Sequence, residues 1–323
     1  MNSALVVARK ELLDLRRNKF LLLLLGFVVL AVTLSVVVAS TDFRVKLDAY
    51  NTYVRALQAS GSTTTPTRPQ LFPLQLLRSG IEYVELIGAL FAIITGYGMV
   101  AKERQRATIE LLFSRPLGRY SLAAGKVGAL AITWLIAVGV IFTAATATLL
   151  LVGNAPLTGV DYGRLLMSAA LAWAFVLFWS TLAMGLASMS KKLSTGLIIA
   201  LVAWLVIVLI IPQIGDTMDP DNQVPGGLFK TLAIAKPDEQ AVLANFAGFD
   251  TVRNLFELSS ITKHFERATF AFLGIKDAFN QAPLALVGAK TLNNSLALAA
   301  GTLAAVTFAV LSTTRKTLLR RQS

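Results

Sequence analysis

The sequence predicts an all-α integral membrane protein: six transmembrane helices, an N-terminal interfacial helix, and a large external loop region between spans five and six. Three observations predict it. Six apolar runs each reach roughly 20 residues, the length a helix rising ~1.5 Å per residue needs to cross a ~30 Å hydrocarbon core. Hydrophobic residues make up 55% of the chain and charged residues 15%, with mean hydropathy +0.66, too little charge for a water-soluble surface. Finally, Lys and Arg concentrate between alternate spans, as topology requires.

The elements follow in chain order. In residues 1–19, Leu5, Ala8, Leu12 and Leu15 share one helical face, opposite Ser3, Lys10, Asp14 and Arg17. Arg9 and Arg16 flank the apolar face, where their stems can snorkel, so this reads as a helix in the membrane interface. A cytosolic extension of the first span is the alternative. Residues 20–212 hold spans one to five. The first, Phe20 to about Ser40, is too long for the core of a signal peptide and is expected to be retained.

Residues 41–79 read as an external loop with a turn-rich centre, Gly61 to Pro69. The second span, about Ile81 to Ala101, contains Gly88, Gly96 and Gly98, small residues that allow close helix approach. Residues 102–126 form the first inner loop, followed by the third span, Val127 to Val152. Spans four (about Leu165 to Ser188) and five (about Thr195 to Ile211, before Pro212) form a hairpin around Ser190-Lys191-Lys192-Leu193-Ser194. Residues 213–290 are expected to be external short helices, some on the membrane surface. Residues 291–323 complete the chain with the last span and a basic tail.

Of the 30 Lys and Arg, 17 fall in segments 1–19, 102–126, 189–194 and 313–323. That puts both termini and the 102–126 loop on the cytoplasmic side of a plasma membrane, in a bacterium the inner or cytoplasmic one. The net charge of +12 is accounted for by this topology, so nucleic acid is not an expected partner, whereas membrane lipid is.

Several chemistries are excluded. Cysteine is absent, which removes disulfides, thiolate metal sites and a Cys nucleophile. One histidine, His264, cannot build a poly-His site and reads as a solvated or locally hydrogen-bonded residue. No phosphate loop exists: Gly118 stands too far from Gly125-Lys126, and Val127 replaces the Mg²⁺-binding hydroxyl. Asp216, Asp219 and Asp221 lack the Gly and terminal Glu of a Ca²⁺ loop. No cofactor is expected in this chain, which does not read as an enzyme.

Two features remain. Glu82 and Glu85, three apart at the head of the second span, can line a pathway opening outward, or lie at headgroup level with Arg78 as partner. The second feature is the segment from Lys102 to Arg119, which holds five Lys or Arg and two Glu yet also Ile109, Leu111, Leu112 and Phe113. A merely solvating loop needs no such apolar ridge, so the mixture suggests a short docked helix. A loop whose charges only fix topology is the alternative.

Ala8-Arg9-Lys10-Glu11-Leu12, the 102–119 segment and Gly125-Lys126 together resemble the six-span permeases of ABC-type exporters. Glu103, Thr108, Glu110, Leu111, Leu112, Ser114, Pro116, Arg119, Gly125 and Lys126 match that family's first-inner-loop pattern, with Ala107 where the family usually has Gly. The Ser190–Ser194 loop and six-span layout also fit, and the long external loops point to the type V group. That group includes permeases serving copper-enzyme maturation alongside drug and lipid exporters.

The resemblance implies a pair of permease copies, homodimeric or heterodimeric, each docking on a separate ATPase subunit that binds ATP and Mg. It also implies a coupling helix of roughly Arg104 to Ser114. In it, Ile109, Leu112 and Phe113 supply an apolar ridge, Glu103, Arg104, Arg106, Glu110 and Arg115 a charged rim, and Pro116 the stop. A periplasmic or extracellular partner on residues 213–290 is a further expectation. The rival reading is a non-transporting membrane scaffold or assembly factor. An intramembrane enzyme built on Glu82 and Glu85 ranks below both.

Overall fold

A computed structural model describes residues 3–60, 72–105, 118, 120–153, 156–218, 228–234, 236–245, 247–275, 279–280 and 282–318. Among these every regular element is a helix, and six are long and apolar enough to cross a membrane. In order they are α1 (Ser3–Arg17), α2 (Lys19–Ala59), α3 (Arg78–Tyr83), α4 (Ala89–Gln105), α5 (Ser121–Leu151), α6 (Gly159–Met189) and α7 (Leu193–Trp204). The short helices α8 (Ile211–Thr217), α9 (Leu228–Thr231), α10 (Lys236–Ala244), α11 (Ala247–Ser259) and α12 (Ile261–Phe272) follow, then α13 (Leu284–Ser312) and α14 (Arg315–Leu318). Wider π turns at Val84–Gly88 and Leu205–Ile210 interrupt spans two and five without ending them.

α6 is the hub, packing along α4 on one side and α13 on another. Gly96 sets the α4–α6 distance: a Cβ there would lie 1.8 Å from the Ser180 carbonyl oxygen. Gly98 has open space around it, and Gly88 only ordinary contacts. Trp179, fully buried in α6, meets Phe175 and Phe178 edge-on, while Phe175 stacks on Phe265 of α12 with ring centroids 4.5 Å apart. The 213–290 segment does form short helices, and α12 is built into the core through Phe265, Ala268 and Phe272.

Helix boundaries differ from the sequence expectation, most of all at α2. α2 does not stop near Ser40 but runs on to Ala59, so much of the expected 41–79 loop is helix. Its length of 41 residues corresponds to about 60 Å, twice a ~30 Å core. Residues 41–59 contain no Gly or Pro, and Lys46 pairs with Asp42 one turn away at 2.6 Å, so nothing breaks the helix where its hydropathy falls. Similarly, α13 starts at Leu284, directly after Pro283, which fixes φ for entry into the first turn.

At the end opposite the α6–α7 turn, Arg164 of α6 is buried and donates to the carbonyls of Phe272, Phe279, Asn280 and Ala282. Gln75 Nε2 donates to Gly274 O at 2.7 Å. One guanidinium thus gathers the turn between α12 and α13. His264 bridges α12 to α13, with Nδ1 2.9 Å from Asn294 Oδ1 and Nε2 3.1 Å from Leu258 O. Only the bond to Leu258 is the local kind expected of it; the one to Asn294 joins two helices.

Candidate functional site

At the basic end, α1 lies against α5. Gly125 makes the approach possible, since a Cβ there would meet Val7 Cβ at 2.6 Å and Ala4 O at 2.7 Å. The docked face carries Val7, Glu11 and Leu15, all buried, whereas Leu5 is 66% exposed. This face is rotated by roughly 75° from the apolar stripe expected at 100° per residue. The reason is Glu11, a carboxylate that periodicity cannot assign to a core.

Its partner is Lys126, the residue after Gly125, which is completely buried. Lys126 Nζ donates to Glu11 Oε1 at 2.8 Å and Met99 O at 2.8 Å, and lies 3.0 Å from Glu103 Oε1. These three acceptors match the three protons of an ammonium. Lys10 closes the ring from the outside, 3.3 Å from Glu11 Oε1 and 3.1 Å from Glu103 Oε1. Two cations and two anions alternate, so the charges cancel. An unpaired charge at this depth would cost several kcal/mol, roughly 3–5.

Electrostatics lock α1 in its charged form. Burial pushes the Glu11 carboxyl up, but Lys126 and then Lys10 outweigh it and hold the group below its ordinary value. Burial pushes Lys10 down, but the carboxylates of Glu11 and Glu103 leave it raised. Glu103 Oε2 is buried without a hydrogen bond among the described residues.

The next residue, Arg104, reaches the turn between α6 and α7. Nη1 donates to Ala187 O at 3.1 Å and Ser190 O at 2.8 Å, and Nη2 to Lys191 O at 3.0 Å. These are carbonyls at the C-terminal end of α6, left over by the helix and favourable to a cation. Beside them Ser188 Oγ and Thr313 Oγ1 are 2.8 Å apart, tying α6 to the end of the last span. All four basic segments are therefore joined at one end of the molecule.

Of the candidate coupling residues, Glu103 and Arg104 lie in the last turn of α4, which runs to Gln105. Arg106, Thr108, Ile109, Glu110, Leu112, Phe113, Arg115, Pro116 and Arg119 lie outside the described residues. Lys126 belongs to the second turn of α5, which starts at Ser121 rather than Val127. Glu11 and Lys126 were visible only as parts of the family pattern. Apolar periodicity gives no sign that two such charges meet in a core.

At the other end, Glu82 and Glu85 have different surroundings. Glu82 is half-buried and paired with Arg78 at 3.1 Å. Glu85 is only 8% exposed and sits in the π turn Val84–Gly88.

The model of the ABC-2 family transporter protein matches residues 5–318, nearly the whole chain. The chain belongs to the ABC-2 transporter family. It is thus a multi-pass membrane permease subunit of an ABC transporter, a transmembrane component whose partner is an ABC ATPase subunit. No curated protein sequence matches it. The charge cluster lies within the matched ABC-2 region, which takes in Glu11, Glu103 and Lys126 together.

Proposed function

We propose that this ABC-2 permease is an exporter subunit of the type V group, working as a dimer, in which residues 102–126 receive the motion of the ATPase. The observation that carries the proposal is the alternating cluster of Lys10, Glu11, Glu103 and Lys126. It joins α1, α4 and α5 where the loop begins and ends, and Arg104 extends the joint to the α6–α7 hairpin. A push on the 106–117 segment therefore reaches three spans and α1 together rather than one flexible loop. In this reading Ile109, Leu112 and Phe113 seat in the ATPase and Arg106, Glu110 and Arg115 set register, while Glu103, buried in the cluster, ties the start of the loop to α1 and α5. Thr108, Pro116 and Arg119 shape the ends of the helix. ATP and Mg stay on the partner, and both termini are cytoplasmic in a bacterial plasma membrane.

The test is hydrolysis by the complex of permease and ATPase. Arg106→Ala with Arg115→Ala, which leaves the buried charge cluster intact, should lower permease-dependent ATP hydrolysis at least tenfold while the spans still assemble. Unchanged hydrolysis would favour the scaffold reading instead. Of the two acids considered for a pathway, Glu85 is the better placed, because it is buried and Glu82 is neutralised by Arg78. Glu85→Gln should slow export without loss of assembly, and Glu82→Gln should leave export as it was.

A further inference from the structure

Arg9 and Arg16 take no part in the charge cluster. They stand two turns apart on the same face of α1, away from the face that docks on α5. Both are exposed, and neither has a hydrogen bond or ion pair among the described residues. Asp14, the nearest acid in sequence outside the cluster, falls on the opposite side of the helix.

Beside the two arginines opens a cavity of about 470 Å³, within the range of 300–1,000 Å³ usual for ligand sites. Apart from them its lining is almost wholly apolar: Leu12 from α1, Leu25 from α2, Phe91 from α4, and α5 from Ile132 to Ile141. Those nine steps along α5 rise about 13.5 Å, close to half of a ~30 Å hydrocarbon core. The cavity is one leaflet deep and carries two guanidiniums at its α1 rim.

We propose that this cavity holds one anionic phospholipid, resident rather than transported, with an acyl chain along α5 and its phosphate gripped by Arg9 and Arg16. A guanidinium presents paired N–H donors that match two phosphate oxygens. Basic pockets between membrane helices at the cytoplasmic level recruit anionic headgroups for that reason. A zwitterionic lipid has the same phosphate but brings a cation to two arginines, so net charge decides the occupant. The lipid would brace α1 on the side that α5 leaves open. This assignment is independent of the ATPase reading.

The test places the full chain with its ATPase in phosphatidylcholine nanodiscs carrying a trace of spin-labelled phosphatidylglycerol or spin-labelled phosphatidylcholine, and measures the immobilised fraction. Phosphatidylglycerol should be immobilised in preference, and millimolar inorganic phosphate should not displace it. Arg9→Gln with Arg16→Gln should reduce the preference about tenfold. These positions lie off the docked face, so α1 packing is preserved. Ala137→Phe, which fills the cavity and keeps both arginines, should abolish immobilisation of either lipid. The proposal fails if the double variant keeps its preference, if Ala137→Phe changes nothing, or if phosphate displaces the label, which would mean a free-anion site.

Discussion

The residue that decides the stability of the basic end is Lys126. It is fully buried among two carboxylates and a carbonyl, so Lys126→Met leaves Glu11 and Glu103 facing each other without water. The expected cost is about 3–5 kcal/mol, read as a lower thermal midpoint of the solubilised protein. Lys10, with a side chain 46% exposed, makes screened contacts, and Lys10→Met should cost less than ~1 kcal/mol. Equal losses from the two variants would mean that burial does not set the strength of the cluster. The pH dependence follows from the direction of each shift. Glu11 is held below its ordinary 4.5, so its contribution is present above that value and is lost as pH falls through the depressed folded pKa. Lys10 is raised above 10.5, so its contribution is complete below that value and is lost as pH rises through the higher folded one. A spin label at exposed position 5 should therefore keep constant mobility between pH 4.5 and 10.5, and loosen only outside that window. Loosening at neutral pH would contradict this charge assignment.

At the scale of elements, hydropathy located all six spans but misplaced helix ends, because an apolar run reports where a membrane is and not where a helix stops. α2 loses its hydropathy at Thr41-Asp42 yet meets no breaker before Gly61. Labels at positions 42 and 58 should lie about 24 Å apart along a helix, against about 53 Å for an extended strand at ~3.3 Å per residue. A broad, long distance distribution would restore the loop. Likewise the three glycines of the second span look alike in sequence, and only packing separates them. Gly96→Ala drives a Cβ into the Ser180 carbonyl and should abolish folded yield, while Gly98→Ala, with nothing within 4 Å, should be tolerated. The docked face of α1 was illegible for a related reason: its centre is Glu11, which becomes a core residue only because Lys126 arrives from more than a hundred positions away.

For the whole molecule, the family pattern singled out Glu11, Glu103 and Gly125-Lys126, which periodicity could not, and the structure brings them to one place at the basic end. Arg164 and Gln75 organise the opposite end around the α12–α13 turn. Each end is thus tied together by buried charge and hydrogen bonds, with the long apolar helices running between them. The proposed point where the ATPase takes hold is the 102–126 segment. Because the chain has no cysteine, single cysteines give unambiguous cross-links. Thr108→Cys and Phe113→Cys, each carrying a short photoactivated cross-linker in the assembled complex, should link to the ATPase subunit. Tyr53→Cys on the α2 extension should not. A stable complex in which neither 108 nor 113 reaches the ATPase, while Lys191→Cys in the α6–α7 turn does, would contradict this assignment.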